Sequence, residues 1–114
     1  MERADDWDIA VYYNPEVGDG TTSMRQARTY QINGRVQGVG FRYFTWEAAA
    51  REGLTGFVMN APDGSVEALA EGEREALERF EAAIWRGPAG ARVHHVERDI
   101  GPATGNYHAF SIRG

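Results

Sequence analysis

A glycine-rich segment that ends in an arginine is the part of the sequence best suited to hold a reacting group. Gly34, Gly38 and Gly40 lie within residues 34–42, and Arg42 is the last residue of that segment. Glycine allows positive φ, so successive main-chain N–H groups can point into one concavity, and a following helix adds its free N–H groups and positive dipole end. The planar guanidinium of Arg42 can donate two hydrogen bonds to phosphoryl oxygens. Glycine content alone leaves two interpretations open, a plain tight turn and a phosphate-binding loop, and it favours the turn.

The loop lacks the side chains that other phosphate-binding glycine loops carry. A nucleotide P-loop has Gly-Lys-Ser/Thr, whereas Gly40 is followed here by Phe41 and Arg42. A dinucleotide fingerprint has a third glycine where this sequence has Tyr43, and a thiol phosphatase has a cysteine where it has Val36. The loop can therefore bind a phosphate, but none of its side chains can attack one.

The remaining polar side chains give weaker indications of a site. His94 and His95 are adjacent on an expected strand and point to opposite faces, so they cannot chelate one metal ion together, and His108 has no partner visible in the sequence. Glu67 and Glu71 lie on another expected strand, and we interpret them as solvated charges rather than as an acid–base pair. No metal or other cofactor is predicted.

Composition and charge exclude several classes of protein. The chain of 114 residues has no cysteine, which excludes disulfides, thiol nucleophiles and cysteine-ligated metals. Residues 1–23 hold six acidic residues against one arginine, while residues 24–114 hold 11 of each and are neutral, so a nucleic-acid partner is not expected. No apolar run reaches the roughly 20 residues of a membrane helix, and the first residues do not resemble a signal peptide. We expect a cytoplasmic protein without a membrane partner.

Local patterns predict the elements that would position the loop. Alternation over 30–36 predicts a strand before it, and an alanine-rich stretch followed by Gly53 predicts a helix over 42–52. Similar patterns predict strands over 54–60 and 65–71, a helix over 73–86, and extended segments over 92–100 and 107–113. Two helices cannot cover both faces of such a sheet, so both should pack on one face. The expected fold is α+β, a ferredoxin-like split βαβ sandwich (βαββαβ) with an antiparallel four- to five-stranded sheet.

Three motifs together resemble the acylphosphatase family. They are Gly34-Arg35-Val36-Gln37-Gly38-Val39-Gly40-Phe41-Arg42, Gly56-Phe57-Val58-Met59-Asn60 and Pro62-Asp63-Gly64-Ser65-Val66. The likeness runs from about Arg28 to Arg113 and leaves out residues 1–27. Members of the family often have tryptophan where this sequence has Phe57, which is a conservative difference.

The resemblance implies roles for particular residues. The main-chain amides of the loop and the guanidinium of Arg42 would bind the phosphate, and Asn60 would orient the attacking water. Taken alone, Asn60 would be interpreted as a turn residue ahead of Pro62, and only its match with the loop reverses this interpretation. The implied catalytic residues are Arg42 and Asn60, and the implied phosphate-binding residues are Arg35, Val36, Gln37, Gly38, Val39, Gly40, Phe41 and Arg42.

The expected function is that of an acylphosphatase, a hydrolase that cleaves the carboxyl–phosphate bond of small acyl phosphates. Water would attack in line, without metal or cofactor, and inorganic phosphate would be released from a monomeric enzyme. Residues 1–27 are expected to form a flexible acidic extension, and residues 28–114 the acylphosphatase-like domain. Two alternatives stay open: a non-catalytic module that binds a phosphorylated metabolite, and an acylphosphatase-like domain that processes carbamoyl phosphate within a maturation assembly. The lack of zinc-finger cysteines argues against the second alternative.

Overall fold

The computed structural model describes residues 24–114, which form five strands and two helices. The elements in chain order are β1 (Arg25–Arg35), α1 (Phe41–Arg51), β2 (Thr55–Asn60), β3 (Val66–Glu73), α2 (Arg74–Arg86), β4 (Arg92–Pro102) and β5 (Phe110–Arg113). The predicted order of strands and helices is confirmed. The predicted acidic segment 1–23 lies outside the described residues. The predicted extension includes residues 25–27, but these residues belong to β1.

The sheet has the strand order β4-β1-β3-β2-β5. Its first three pairings are antiparallel, as expected, but β2 and β5 pair in parallel, with Val58 opposite Ile112. The expectation of an entirely antiparallel sheet is therefore wrong for its fifth strand. The reason is the path of the chain, because it leaves β4 at the end of the sheet where β2 begins. When it has crossed to the far edge, it can only run back alongside β2 in the same direction.

One hydrophobic core lies between the sheet and the two helices. Strand residues that point toward the helices, such as Ile32, Val58 and Val66, are fully buried against Phe80 of α2. The apolar stripe predicted for the second helix is buried along its whole length: Ala76, Leu77, Phe80, Ala83 and Ile84. Both helices contact each other and the same core, so within residues 24–114 no helix covers the opposite face of the sheet, called the uncovered face below. No helix within residues 24–114 combines the length and apolar character needed to cross a membrane.

The fold brings the ends of two strands and the start of one helix together at one edge. β1 ends at Arg35 and β2 ends at Asn60, and these strands run in the same direction on either side of β3. At the end of β1 a bulge lies between Asn33 and Gly34, where a Cβ on Gly34 would approach the main-chain oxygen of Arg92 to 2.1 Å. Only glycine fits there, so this close contact fixes the point from which the chain leaves the sheet.

Candidate active site

The glycine loop connects the end of β1 to the first turn of α1. Gly38 and Gly40 have φ values of 79° and 77°, in the left-handed region, and Gly40 is the residue that caps α1. No side chain caps this helix end and its first turn contains no acidic residue. The first N–H groups of a helix have no intrahelical acceptor, and the helix dipole makes this end positive. The loop and the helix start therefore offer a set of donors suited to an anion.

Arg42 lies in the first turn of α1, beside these donors. Its Nη1 donates a hydrogen bond to the main-chain oxygen of Arg113 in β5, at 2.9 Å. Among residues 24–114, no carboxylate lies within ion-pair distance of Arg42. The hydrogen bond thus orients the guanidinium without neutralising its charge, and the charge is available to an anionic ligand.

Asn60 is the last residue of β2 and is partly exposed. Within the described part of the chain, its side-chain amide has no hydrogen-bond partner. An amide group offers both an acceptor oxygen and two donor hydrogens, so it can hold a water molecule in a fixed orientation.

A cavity of about 230 Å³ brings the loop, Arg42 and Asn60 together. It is lined by Val36, Gly38, Gly40, Phe41, Arg42, Tyr43, Asn60 and Ile112. Of the residues that the sequence indicated, Arg35, Gln37 and Val39 do not line it. As far as residues 24–114 are concerned, this lining contains one fixed positive charge, one amide and no acidic residue.

Gln37 contributes a contact that the sequence did not indicate. Its side-chain Nε2 donates to the main-chain oxygens of Ala61 and Ser65, at 2.8 and 2.9 Å. These two residues close the turn between β2 and β3, where Ala61 N–H donates to Ser65 O at 2.8 Å. Gln37 therefore links the glycine loop directly to the turn that follows Asn60.

Asp63 stabilises this turn from within. Its Oδ1 accepts hydrogen bonds from the hydroxyl and the main-chain N–H of Ser65, at 2.6 and 2.9 Å. These bonds hold the pKa of the exposed Asp63 carboxyl below its ordinary value, and the bond from the hydroxyl has the larger effect. The turn is thus a defined structure to which Gln37 can fasten the loop.

Two residues of the cavity were missed by sequence reasoning. Tyr43 follows Arg42 on the first turn of α1, and it was considered only as a departure from a dinucleotide fingerprint. The predicted helix start and the predicted phosphate site together could have indicated Tyr43, because it lies in the same helical turn as Arg42. Ile112 lies on β5, and nothing in its local sequence predicts that this strand returns to the edge beside β2.

A larger depression of about 660 Å³ lies on the uncovered face of the sheet, away from the loop. Its lining includes Thr29, Gln31, Glu67 and His95, which are outward-facing side chains of neighbouring strands. It has no converging main-chain donors, and several of its charged groups are carboxylates. Despite its size, it is the poorer candidate for an anion site.

The remaining sequence candidates are not assembled into a second site. Within residues 24–114 no group of three histidine, aspartate or glutamate side chains is placed to hold a metal ion.

The interpretation of Glu71 as a solvated charge is wrong, because its side chain is 1% exposed. Its carboxylate accepts hydrogen bonds from the hydroxyl and N–H of Thr104 and from the N–H of Gly105, at 2.6, 3.0 and 3.0 Å.

Comparison with known proteins agrees with this geometry. The family model for acylphosphatase matches residues 28–112. The chain belongs to the acylphosphatase family. An acylphosphatase of Koribacter versatilis is 45% identical over 94 residues, covering 82% of this chain and 84% of the relative. Acylphosphatases hydrolyse acid anhydrides, so the predicted enzyme class is confirmed together with the family.

Two solved structures extend the comparison to the fold. The acylphosphatase of Bacillus subtilis has 41% sequence identity and a TM-score of 0.75, over 80% of this chain and 100% of the other. Full-length HypF, in a phosphate- and nucleotide-bound form, has 31% identity and a TM-score of 0.75, over 83% of this chain but 12% of its own. The acylphosphatase neighbours confirm the ferredoxin-like fold class.

Proposed function

We propose that this chain hydrolyses the carboxyl–phosphate bond of small acyl phosphates, releasing a carboxylate and inorganic phosphate. The observation that carries the proposal is that one cavity is lined at once by Arg42, Asn60 and the glycines of the loop. A charge-neutralising group and a water-orienting group therefore face the same small volume. Membership of the acylphosphatase family supplies the substrate class.

The phosphoryl group binds to the loop and to Arg42. Main-chain amides of residues 35–41 donate to its oxygens, and the guanidinium of Arg42 adds a bidentate contact. Of these residues, Val36, Gly38, Gly40 and Phe41 line the cavity, and participation of Arg35, Gln37 and Val39 stays a prediction. Each hydrogen bond to a charged group contributes about 1.5–3 kcal/mol, so a few of them suffice for a small anion.

Asn60 orients the water that attacks phosphorus. Its amide does not titrate near neutral pH, so it positions the water and does not remove its proton. The water oxygen forms a bond to phosphorus while the bond from phosphorus to the acyl oxygen breaks, and the electron pair leaves with the carboxylate. The proton of the water passes to the phosphate or to solvent.

Positioning and charge stabilisation are sufficient for this reaction. Phosphoryl transfer depends mainly on in-line geometry and on stabilising the charge of the phosphoryl oxygens. A carboxylate is a good leaving group, so the reaction needs less acceleration than hydrolysis of a phosphate monoester. The proposed mechanism is one step, without a covalent enzyme intermediate, a metal ion or a cofactor.

The decisive assay is phosphate release from benzoyl phosphate in the presence of a chelator. We expect Arg42→Ala to lower kcat/KM by about a hundredfold or more and to weaken inhibition by inorganic phosphate. Asn60→Ala should lower kcat by a similar factor with little change in KM. Arg51→Ala is the matched control, because it removes an exposed arginine from the opposite end of α1. Equal rates in all variants would refute the site, and phosphate binding without turnover in the wild type would favour a non-catalytic module.

A second candidate function is the processing of carbamoyl phosphate as part of a larger maturation assembly. The structural likeness to HypF favours it, while the higher sequence identity to the Bacillus subtilis acylphosphatase, 41% against 31%, favours the first candidate. The ratio of turnover of carbamoyl phosphate to that of benzoyl phosphate separates the two. A strong preference for carbamoyl phosphate would support the second candidate.

We also propose the oligomeric state, the location and the partners of the enzyme. The enzyme acts as a monomer in the cytoplasm, without a nucleic-acid or membrane partner. The balance of charge in residues 24–114 and the lack of cysteine support this setting. The division into an acidic extension (residues 1–27) and an acylphosphatase-like domain (residues 28–114) stays a prediction, with β1 beginning at Arg25.

A further inference from the structure

Two large apolar side chains are exposed at the cavity that holds Arg42 and Asn60. Tyr43 is 57% exposed and Ile112 is 42% exposed, and both line this cavity. The third exposed large hydrophobic residue among residues 24–114, Trp85, is 44% exposed on α2 and does not line it. Exposed apolar groups that adjoin a polar binding pocket are typical of ligand contacts.

The position of Tyr43 is fixed by its neighbours. Its ring stacks on that of Trp46, with centroids 5.7 Å apart and an interplanar angle of 24°. Trp46 Nε1 donates a hydrogen bond to the main-chain oxygen of Phe110 in β5, at 3.1 Å. β5 also carries Ile112, so the two apolar walls belong to one connected structure. A wall that is already in place costs little ordering entropy when a ligand binds.

The cavity has more room than a phosphate requires. Its volume of about 230 Å³ corresponds to about eight water molecules at about 30 Å³ each, whereas a phosphate has five heavy atoms. Among residues 24–114, the only polar side chains that line it, besides that of Tyr43, are Arg42 and Asn60, which the proposed function assigns to the phosphoryl group and the water. The remaining space therefore has apolar walls.

We propose that Tyr43 and Ile112 form an acyl subsite, which contacts the non-phosphate part of the substrate. This inference rests on the proposed function, because a phosphoryl group in the loop requires the acyl group to extend from the same cavity. The walls favour acyl groups with large apolar or aromatic parts over acetyl. Apolar contact adds binding in proportion to the area removed from water, and acetyl has only one methyl group to bury.

The test compares kcat/KM for benzoyl phosphate and acetyl phosphate in the full-length protein. The wild type should prefer benzoyl phosphate by about tenfold or more. Tyr43→Ser should reduce this ratio about fivefold, mainly through KM for benzoyl phosphate, and Ile112→Thr should reduce it in the same direction. Tyr43→Phe should keep the wild-type ratio, because the ring and not the hydroxyl makes the contact. Trp85→Ser is the matched control and should leave the ratio unchanged.

The outcomes separate the subsite from the proposed function. Turnover of both substrates, with a ratio that Tyr43→Ser and Ile112→Thr leave unchanged, would overturn the subsite alone. The same is true if Tyr43→Ser lowers both rates equally, since Tyr43 would then only support the helix. Absence of turnover with either substrate would overturn the proposed function and the subsite with it.

Discussion

At the scale of single residues, Gln37 stands out because its side chain connects the two halves of the proposed site. One half is the loop that we propose binds the phosphate, and the other is the β2–β3 turn that follows Asn60. The amide of Gln37 donates to two main-chain oxygens of that turn, so a shift of the loop moves the turn and Asn60 with it. In-line attack depends on the relative position of these halves, since small displacements of reacting groups reduce rates strongly.

We predict that Gln37→Met lowers kcat about tenfold and destabilises the fold by about 1–3 kcal/mol, because two hydrogen bonds are lost at nearly unchanged volume. Gln31→Met is the matched control. Gln31 also donates to the β2–β3 turn, through Asp63 and Ser65, but has no contact with the loop. Steady-state kinetics and thermal unfolding measure the two effects. A loss of stability without a loss of kcat would show that Gln37 has only a structural role.

Gln37→Glu tests the same contact by pH. A glutamate there would face two carbonyl oxygens, and its charged form could donate to neither. Protonation gives the carboxyl group one donor hydrogen, which restores part of the link. The rate of this variant relative to wild type should therefore rise as the pH is lowered, whereas a constant ratio would contradict the assignment.

The proposed catalytic groups also predict the response of the wild-type enzyme to pH. Arg42 stays charged, and the amide of Asn60 does not titrate in the accessible range. After correction for ionisation of the substrate, kcat/KM should show no limb near about pH 6–7 from an essential base of the enzyme. If the pH–rate profile shows such a limb and a histidine variant, for example His108→Gln, lacks it, a different mechanism is required.

At the scale of elements, the segment that crosses the end of the sheet from β4 to β5 decides the position of the last strand. This segment, residues 103–109, is held by the buried carboxylate of Glu71 near the end of β3. Burial raises the pKa of the Glu71 carboxyl, but the hydrogen bonds from Thr104 and Gly105 outweigh it and leave the pKa below its ordinary value. The charged form of Glu71 therefore stabilises the folded state.

We predict that this contribution is present above about pH 4.5, the ordinary pKa of the group, and disappears as the pH falls through the lower pKa of the folded protein. Glu71→Gln should lower the free energy of unfolding at pH 7 by about 1–3 kcal/mol and reduce its loss on acidification. Glu67→Gln, on the same strand and face but without these bonds, serves as control. Chemical unfolding at several pH values measures the difference, and parallel curves for wild type and Glu71→Gln would contradict it.

The same segment marks the limit of what the sequence could predict. The strand before the loop, the loop itself and both helices follow from local alternation, glycine placement and helical periodicity, and Arg42 and Asn60 came from motifs. The parallel pairing of β5, the presence of Ile112 in the cavity and the burial of Glu71 all depend on where the chain returns to the sheet. Such a return is fixed by packing between distant residues, and no local pattern contains it.

At the scale of the whole molecule, the unequal distribution of charge is the main feature. Residues 1–23 carry the formal charge of −5, and the cavity is lined by residues between Val36 and Ile112. All of these lining residues belong to the described part of the chain. An acidic segment that makes no contact with the site would affect an anionic substrate only through long-range repulsion, and at physiological ionic strength the screening length is about 8 Å.

We predict that deletion of residues 1–23 leaves kcat/KM within about twofold at an ionic strength of about 0.15 M. At about 0.01 M, where charges act over about 30 Å, the truncated protein should be the faster of the two. Both rates can be measured with benzoyl phosphate over a salt series. A large loss of activity at every salt concentration would show that the acidic segment contributes directly to the site.

In the described part of the chain, the four residues of β5 form an edge of the sheet and pair only with β2. Short outer strands separate first in many proteins, through partial opening that leaves the centre intact. Here an opening of the outer end of the strand would withdraw the acceptor that orients Arg42 and remove Ile112, while Phe110 at its start stays packed against Phe80. The activity of the proposed site thus depends on the end of an edge strand. Under mild heat or denaturant, activity should be lost before the hydrophobic core unfolds.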